Sequence, residues 1–269
     1  MKTTTSYYLL HRGARVHCLQ WGTGKRLLIA LHGFGDRARL FSVLERPLGE
    51  RYTVVAFDLP FHGKTEWPYE TFDKSDMLQI IEQIRLRVGQ ERLSLMGFSF
   101  GARIAQGLLA DVLPRLERLF LLAPDGIRTP GMWWAVHTPL WLRRRLRKWV
   151  QHPAKWLRAV SRGRRLRLVP LLVAQFLRFH LARPERRQRV FGCWLALDSF
   201  YIRRRALQVL WATSGVPIVV FLGSTDETIH RRTVQKLARG LPNVQVIYLS
   251  GGHRIVGEML AEQLAQIDF

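Results

Sequence analysis

The sequence predicts an α/β fold: a mostly parallel sheet, helices on both faces, and one helical insertion. Three observations predict it. Short apolar runs of strand length alternate along the 269-residue chain with segments of helical period. The runs are apolar throughout rather than at every second residue, as strands buried on both faces require. The alternation breaks once, between about Ile127 and Gly215, where helical sequence rich in Arg and Trp intrudes.

The elements follow in chain order. Residues 6–21 alternate apolar and polar around Arg12-Gly13, the pattern of a hairpin. RLLIALHG (26–33) is a buried strand ending in glycine, followed by a helical stretch to about Gly49. YTVVAFD (52–58) is the next strand. Lys74 to Val88 is a helix, because Met77, Ile80, Ile81, Ile84 and Val88 form one stripe. RLSLMG (92–97) is a strand that turns into a helix from Gly101 to about Leu113. ERLFLLA (117–123) is closed by Pro124-Asp125-Gly126. PIVVFLG (217–223) and VQVIYLS (244–250) complete the strands, with a helix before the last and one after it.

Apolar residues make up 48 % of the chain and charged residues 23 %, which excludes a disordered tail protein or a disulfide-stapled miniprotein. Cys18 and Cys193 are too few for a disulfide framework and form no Cys-x-x-Cys pair. They read as free thiols of a reducing compartment, so a cytoplasmic protein is expected, peripheral to the membrane if its basic face is used. No long apolar run follows Lys2, so no cleaved secretion signal is expected, and no stretch of about eighteen apolar residues predicts a spanning helix.

The net charge is +22, and its distribution is uneven. Arg128 to Arg205 holds 20 basic residues against Glu185 and Asp198, a net of +18. The excess therefore belongs to the insertion. The expected organisation is a core of residues 1–126 and 211–269 with an inserted basic, Trp-rich unit over 127–210.

The chemistry sits at strand ends. Gly97-Phe98-Ser99-Phe100-Gly101 is Gly-x-Ser-x-Gly placed where a strand turns into a helix. Glycines are needed there because the turn is tight and flanking side chains would strike the neighbouring strand and helix. His32-Gly33-Phe34-Gly35 follows the first buried strand, where a backbone N–H can face a developing oxyanion with the N–H of Phe100 as its partner. Asp58 to Thr65, DLPFHGKT, reads as a structural loop near the site. Asp226 lies three residues beyond Gly223, and His253 lies just past the last strand. Nucleophile, acid and histidine thus stand at carboxyl ends of strands, where ligands gather in open α/β sheets. Asp125 also stands at a strand end and is the alternative acid.

On these motifs (HGFG, DLPFHGKT, GFSFG, GSTD and GGHRIVGE) the chain resembles the α/β-hydrolase superfamily over nearly its whole length apart from the insertion. The resemblance implies an eight-stranded, mostly parallel sheet with a helical cap inserted after the sixth strand. It implies Ser99 as nucleophile, His253 as general base and then acid, and Asp226 as its orienting partner. Backbone N–H groups of Phe34 and Phe100 would form the oxyanion hole. Phe61 departs from the pattern, standing where the family's Asp-x-Pro-Gly-His-Gly loop has glycine. Serine at the elbow argues against the dehalogenase and epoxide-hydrolase branches, which use an Asp nucleophile.

The expected activity is hydrolysis of a carboxylic ester or thioester through an acyl-enzyme, with an apolar acyl group suggested by the Trp, Leu and Phe of the insertion. Two alternatives remain open. Gly101-Ala102-Arg103 resembles the Gly-Gly-Arg of a menaquinone-pathway lyase that uses the same triad without hydrolysis, so Arg103 is a candidate substrate contact and otherwise a salt-bridged arginine. A catalytically silent scaffold whose basic cap binds a partner is the other. Six of nine tryptophans lie in the insertion: Trp133, Trp134, Trp141, Trp149, Trp156 and Trp194. Trp141 to Val150 spaces Trp141, Leu142, Leu146, Trp149 and Val150 as the apolar stripe of a basic amphipathic helix. Anionic membrane fits that face, as does an acidic acyl-carrier protein or the phosphates of an acyl-coenzyme A presenting a thioester-linked acyl chain to Ser99, and a family member acting on a carrier-bound pimeloyl ester is similar in charge and topology. Nucleic acid ranks lowest because no binding motif accompanies the charge. No metal-ligand cluster and no phosphate-cradling glycine loop is visible, so neither metal nor cofactor is expected.

Overall fold

The hairpin around Arg12-Gly13 forms β1 (Thr5–His11) and β2 (Ala14–Trp21), which pair antiparallel and close at His11 opposite Ala14. Both turn residues have positive φ, 52° at Arg12 and 90° at Gly13, the hand of turn that matches the twist of a two-residue hairpin. The structure is a computed structural model that describes residues 4–125, 138–149, 153–229 and 231–267.

The remaining strands are β3 (Arg26–Leu31), β4 (Tyr52–Phe57), β5 (Leu93–Phe98), β6 (Leu116–Leu122), β7 (Ile218–Gly223) and β8 (Val244–Leu249). One eight-stranded sheet results, in the order β1-β2-β4-β3-β5-β6-β7-β8. β2 joins β4 antiparallel, and all pairs from β4 to β8 are parallel. Every residue of β5 and β7 is buried, which is why those segments read as unbroken apolar runs. β3 lies between β4 and β5, so the chain leaves it in opposite directions across the sheet. That reversal opens a crevice at the carboxyl ends of β3 and β5.

Helix α1 (Lys74–Val88) starts at a capping box in which Asp73 and Asp76 satisfy each other's backbone N–H, and it stops at Gly89 with φ 74°. Its stripe of Met77, Ile80, Ile81 and Ile84 is buried as the spacing requires. Helix α2 (Phe100–Val112) is buried nearly all round, consistent with its lack of a polar face.

Between β6 and β7 come α3 (Leu140–Trp149), α4 (Pro153–Arg165), α5 (Leu171–Leu181), α6 (Pro184–Ala196) and α7 (Arg204–Thr213). Helices α8 (Arg231–Ala238) and α9 (Glu258–Gln266) follow β7 and β8. No helix among the described residues is long and apolar enough to cross a membrane.

The expected amphipathic face of α3 differs in detail. Leu142 and Leu146 are half-buried, but Trp141 is exposed and Arg143 is buried. Arg143 donates to the carbonyls of Thr138 and Trp194 and to the Asp198 carboxylate at 3.0 Å, so one cation of the basic run roots the helix instead of solvating it. Trp133, Trp134 and Val150, and the side chains of Trp149 and Trp156, lie outside the described residues.

Phe61 takes φ 69°, the left-handed conformation for which the family pattern uses glycine. A non-glycine residue there costs about 1–2 kcal/mol. The ring fills the space left by Gly192 of α6, where an added Cβ would lie 2.2 Å from it, and tilts against Phe72 at 6.2 Å. Arg189 Nε–H donates to the Phe61 carbonyl, so the strained residue joins α6 to the sheet.

Both cysteines are buried free thiols, Cys18 in β2 and Cys193 in α6. Burial pushes the Cys18 thiol up to about 12 and raises that of Cys193 as well.

Candidate active site

Ser99 sits between β5 and α2 with φ 49° and ψ −110°, a strained turn that lifts its side chain above the sheet edge. Close packing enforces the flanking glycines. A Cβ on Gly97 would lie 2.5 Å from the Ala102 backbone, and one on Gly101 would lie 2.0 Å from the Leu31 carbonyl oxygen. Gly101→Ala is therefore expected to lower the melting temperature by more than ordinary core overpacking of about 1–3 kcal/mol, because backbone rather than a side chain would have to move.

The loops after β7 and β8 bring two further residues to the same place. Asp226 and His253 are drawn together by backbone bonds from Ser224 N–H to Leu249 and from Thr225 N–H to Gly251. The fully buried Asp226 carboxylate lies 2.8 Å from His253 Nδ1, and His253 Nε2 lies 2.9 Å from Ser99 Oγ. A carboxylate accepts only, so His253 donates through Nδ1–H, and Nε2 is left to accept the serine hydroxyl proton. The second Asp226 oxygen accepts the N–H groups of Thr228 and Ile229, which fix the carboxylate in place.

Asp125, the alternative acid, is not brought to this chain. Its carboxylate takes both a 3.1 Å and a 3.3 Å bond from Arg103, and its N–H bonds to the Ser99 carbonyl. Arg103 is correspondingly buried in α2, with its guanidinium turned to Asp125.

Phe34 and Phe100 stand on either side of the crevice, their rings edge-to-face at 6.5 Å. Phe100 opens α2, so its N–H has no helical acceptor. Neither its N–H nor that of Phe34 has an acceptor among the described residues.

Two histidines that sequence reading left as loop residues fix the Phe34 segment. His62 donates through Nδ1 to the Pro60 carbonyl and accepts the Gly35 N–H at Nε2, 3.0 Å away. His32 donates to the Gly33 carbonyl and accepts the Leu59 N–H. Asp58 anchors the same loop through His17, Lys64 N–H and Ala38 N–H. Burial holds both His32 and His62 below the usual 6.5. Below pH 6.5 the unfolded chain then binds more protons than the folded one, so stability falls as pH falls through that range. The melting temperature is expected to drop between pH 7 and pH 5, and less steeply in His62→Gln, whose side-chain oxygen can still accept the Gly35 N–H. The only sequence signal for this role was the repeated His-Gly in adjoining strand-end loops.

The family model described as alpha/beta hydrolase fold matches residues 26–258. Among curated proteins, abhydrolase domain-containing protein abhd-5.2 of Caenorhabditis elegans is 33 % identical over 103 residues, 37 % of this chain and 23 % of that protein. The soluble epoxide hydrolase of Corynebacterium sp. is 29 % identical over 118 residues, 44 % of this chain and 41 % of that one. The matched stretch thus spans less than half the length of these relatives. Among solved structures, the thioesterase domain from the curacin biosynthetic pathway superposes with a TM-score of 0.69 at 18 % identity, covering 98 % of each chain. Carboxylesterase CesB from Bacillus subtilis gives 0.62 at 16 % identity, covering 98 % of this chain and 90 % of that one. At such identities the likeness is one of fold.

Proposed function

The chain belongs to the α/β-hydrolase fold family, and from that premise we propose that it is a serine hydrolase of carboxylic esters or thioesters. The observation that carries the reading is the hydrogen-bonded series Ser99–His253–Asp226 at 2.9 and 2.8 Å. In the proposed reaction His253 Nε2 takes the Ser99 proton as Oγ bonds to the substrate carbonyl carbon. The carbonyl oxygen becomes an oxyanion held by the N–H groups of Phe34 and Phe100, each worth about 3–4 kcal/mol of barrier. Collapse expels the alcohol or thiol with the proton from His253, and water repeats the sequence to free the acid. Asp226 steadies the imidazolium throughout.

An apolar acyl group fits the apolar surroundings of the elbow, where the half-buried Phe34 lies edge-to-face against Phe100 at 6.5 Å. Engagement of Arg103 by Asp125 favours hydrolysis over elimination. Initial rates on p-nitrophenyl esters from acetate to palmitate test the reading. Turnover with a best chain length supports it; no turnover together with no fluorophosphonate labelling of the folded protein overturns it.

A second observation favours a membrane role for the insertion. The turn between α4 and α5 exposes Leu166 (67 %), Leu168 (76 %) and Leu171 (52 %) beside Arg162, Arg164, Arg165 and Arg167. Apolar tips ringed by cations suit an anionic bilayer. Sedimentation with phosphatidylglycerol vesicles but not phosphatidylcholine vesicles is expected, and its absence would remove this role.

A further inference from the structure

Next to Phe34 a cavity of about 620 Å³ opens between the Gly33–Asp36 turn and the start of α6. Its charged lining includes Asp36, Arg183, Arg186, Arg189 and Arg254. The charge does not balance. Arg254 is paired with Asp36 at 2.9 Å, and Glu185 is the other acid on the wall. Arg183, Arg186 and Arg189 make no ion pair among the described residues.

The geometry of two of these arginines is set by contacts that leave their charge unanswered. Arg186 lies 3.7 Å over the Phe179 ring and donates to the Phe179 carbonyl. Half-buried Arg189 donates through Nε to the Phe61 carbonyl, and burial with the nearby Arg186 pushes its guanidinium down. Partly desolvated, unpaired cations held together oppose folding, and an anion between them removes that cost. Guanidinium forks match phosphate oxygens in particular. Arg183 is also the N-cap of the 13-residue α6, whose free N–H groups add positive potential at the same wall. The volume is that of a small-ligand site.

The cavity also has a fixed relation to the chemistry. Phe34 lines it and carries one of the two N–H groups assigned to the oxyanion, and Arg254 directly follows His253. We propose that this arginine-lined cavity receives the phosphate of a phosphorylated acyl ester or thioester, and that the protein selects such substrates over their neutral counterparts. The proposal rests on the hydrolase reading above.

The same chemistry could be offered by a phospholipid or by a nucleotide-linked thioester, so two matched pairs are compared by kcat/KM. One pair is 1-acylglycerol 3-phosphate against 1-acylglycerol; the other is acyl-coenzyme A against acyl-pantetheine, with a common acyl chain. The phosphorylated member of one pair is expected to be favoured at least about tenfold, the effect of one charge-assisted hydrogen bond. The pair that shows the preference identifies the source. In Arg186→Gln/Arg189→Gln the ratio is expected to collapse towards one. Ratios near one for both pairs in the wild type, or a ratio retained in the folded variant, would overturn the proposal.

Should the double variant fail to fold, Arg183→Gln, at an exposed position, serves with competition by inorganic phosphate against the preferred phosphorylated substrate. Competitive inhibition weakened by Arg183→Gln supports the site, and inhibition unchanged or absent overturns it. Loss of the hydrolase reading is seen separately, as no turnover of any ester and no labelling of Ser99. In that case the rise in melting temperature with inorganic phosphate, present in the wild type and reduced in Arg183→Gln, decides the binding site alone.

Discussion

Ser99→Ala is expected to lower kcat on the preferred ester by about 10⁶-fold, the loss found when the serine of such a unit is removed. The hydroxyl takes no part in holding the fold. Its one hydrogen-bond partner among the described residues is His253 Nε2, and the Ser99 backbone keeps its bonds to Leu122, Ala102 and Arg103 whatever the side chain. Alanine meets the positive φ at the elbow about as well as serine does, so the melting temperature should move little. Intact-mass detection of a fluorophosphonate adduct on the wild type, absent from the variant, completes the measurement. Substantial residual turnover in Ser99→Ala would place the nucleophile elsewhere.

Asp226→Asn is expected to cost about 10⁴-fold in kcat with the fold preserved. The asparagine oxygen can keep the Thr228 and Ile229 N–H bonds, while its NH₂ faces His253 Nδ1 and requires that nitrogen to accept. The imidazole proton then sits on Nε2, pointing at Ser99, and no base remains. Asp125→Asn should behave oppositely. It strips the buried Arg103 of its counter-charge, a loss of about 3–5 kcal/mol read as a lower melting temperature, with kcat falling much less. A larger fall in kcat from Asp125→Asn than from Asp226→Asn would reverse the two roles.

Legibility in the sequence followed burial. β3 to β7 are covered on both faces, so each had to be an apolar run, and α1 had to carry a stripe and a capping pair. The elbow was legible because its Gly-x-Ser-x-Gly pattern is contiguous, although its glycines answer one near contact, Gly97 to Ala102, and one distant contact, Gly101 to Leu31. Long-range convergence that no motif marks was not. Asp36, the Arg183–Arg189 segment and Arg254 meet only because β3, α6 and the loop after β8 end at one edge of the sheet. His62 looked like part of a turn, and only its bond to Gly35 across 27 residues ties it to the Phe34 loop. The departure at Phe61 was visible as a missing glycine, but its compensation by Gly192 in the insertion needed coordinates. Arg143 shows the limit of charge patterning: one member of a run of cations is a buried anchor.

The two sealed thiols make the cysteines of this protein quiet towards alkylating and oxidising reagents. Cys18 is enclosed in β2, Cys193 is enclosed on the buried side of α6, and burial keeps both in the unreactive protonated form. With oxygen rather than sulfur as the proposed attacking atom, turnover should persist through maleimide or mild peroxide treatment that silences a thiol enzyme. A cysteine introduced at Leu168 would then be the one reactive thiol among the described residues, so a dye placed there would report where the insertion goes against a dark background.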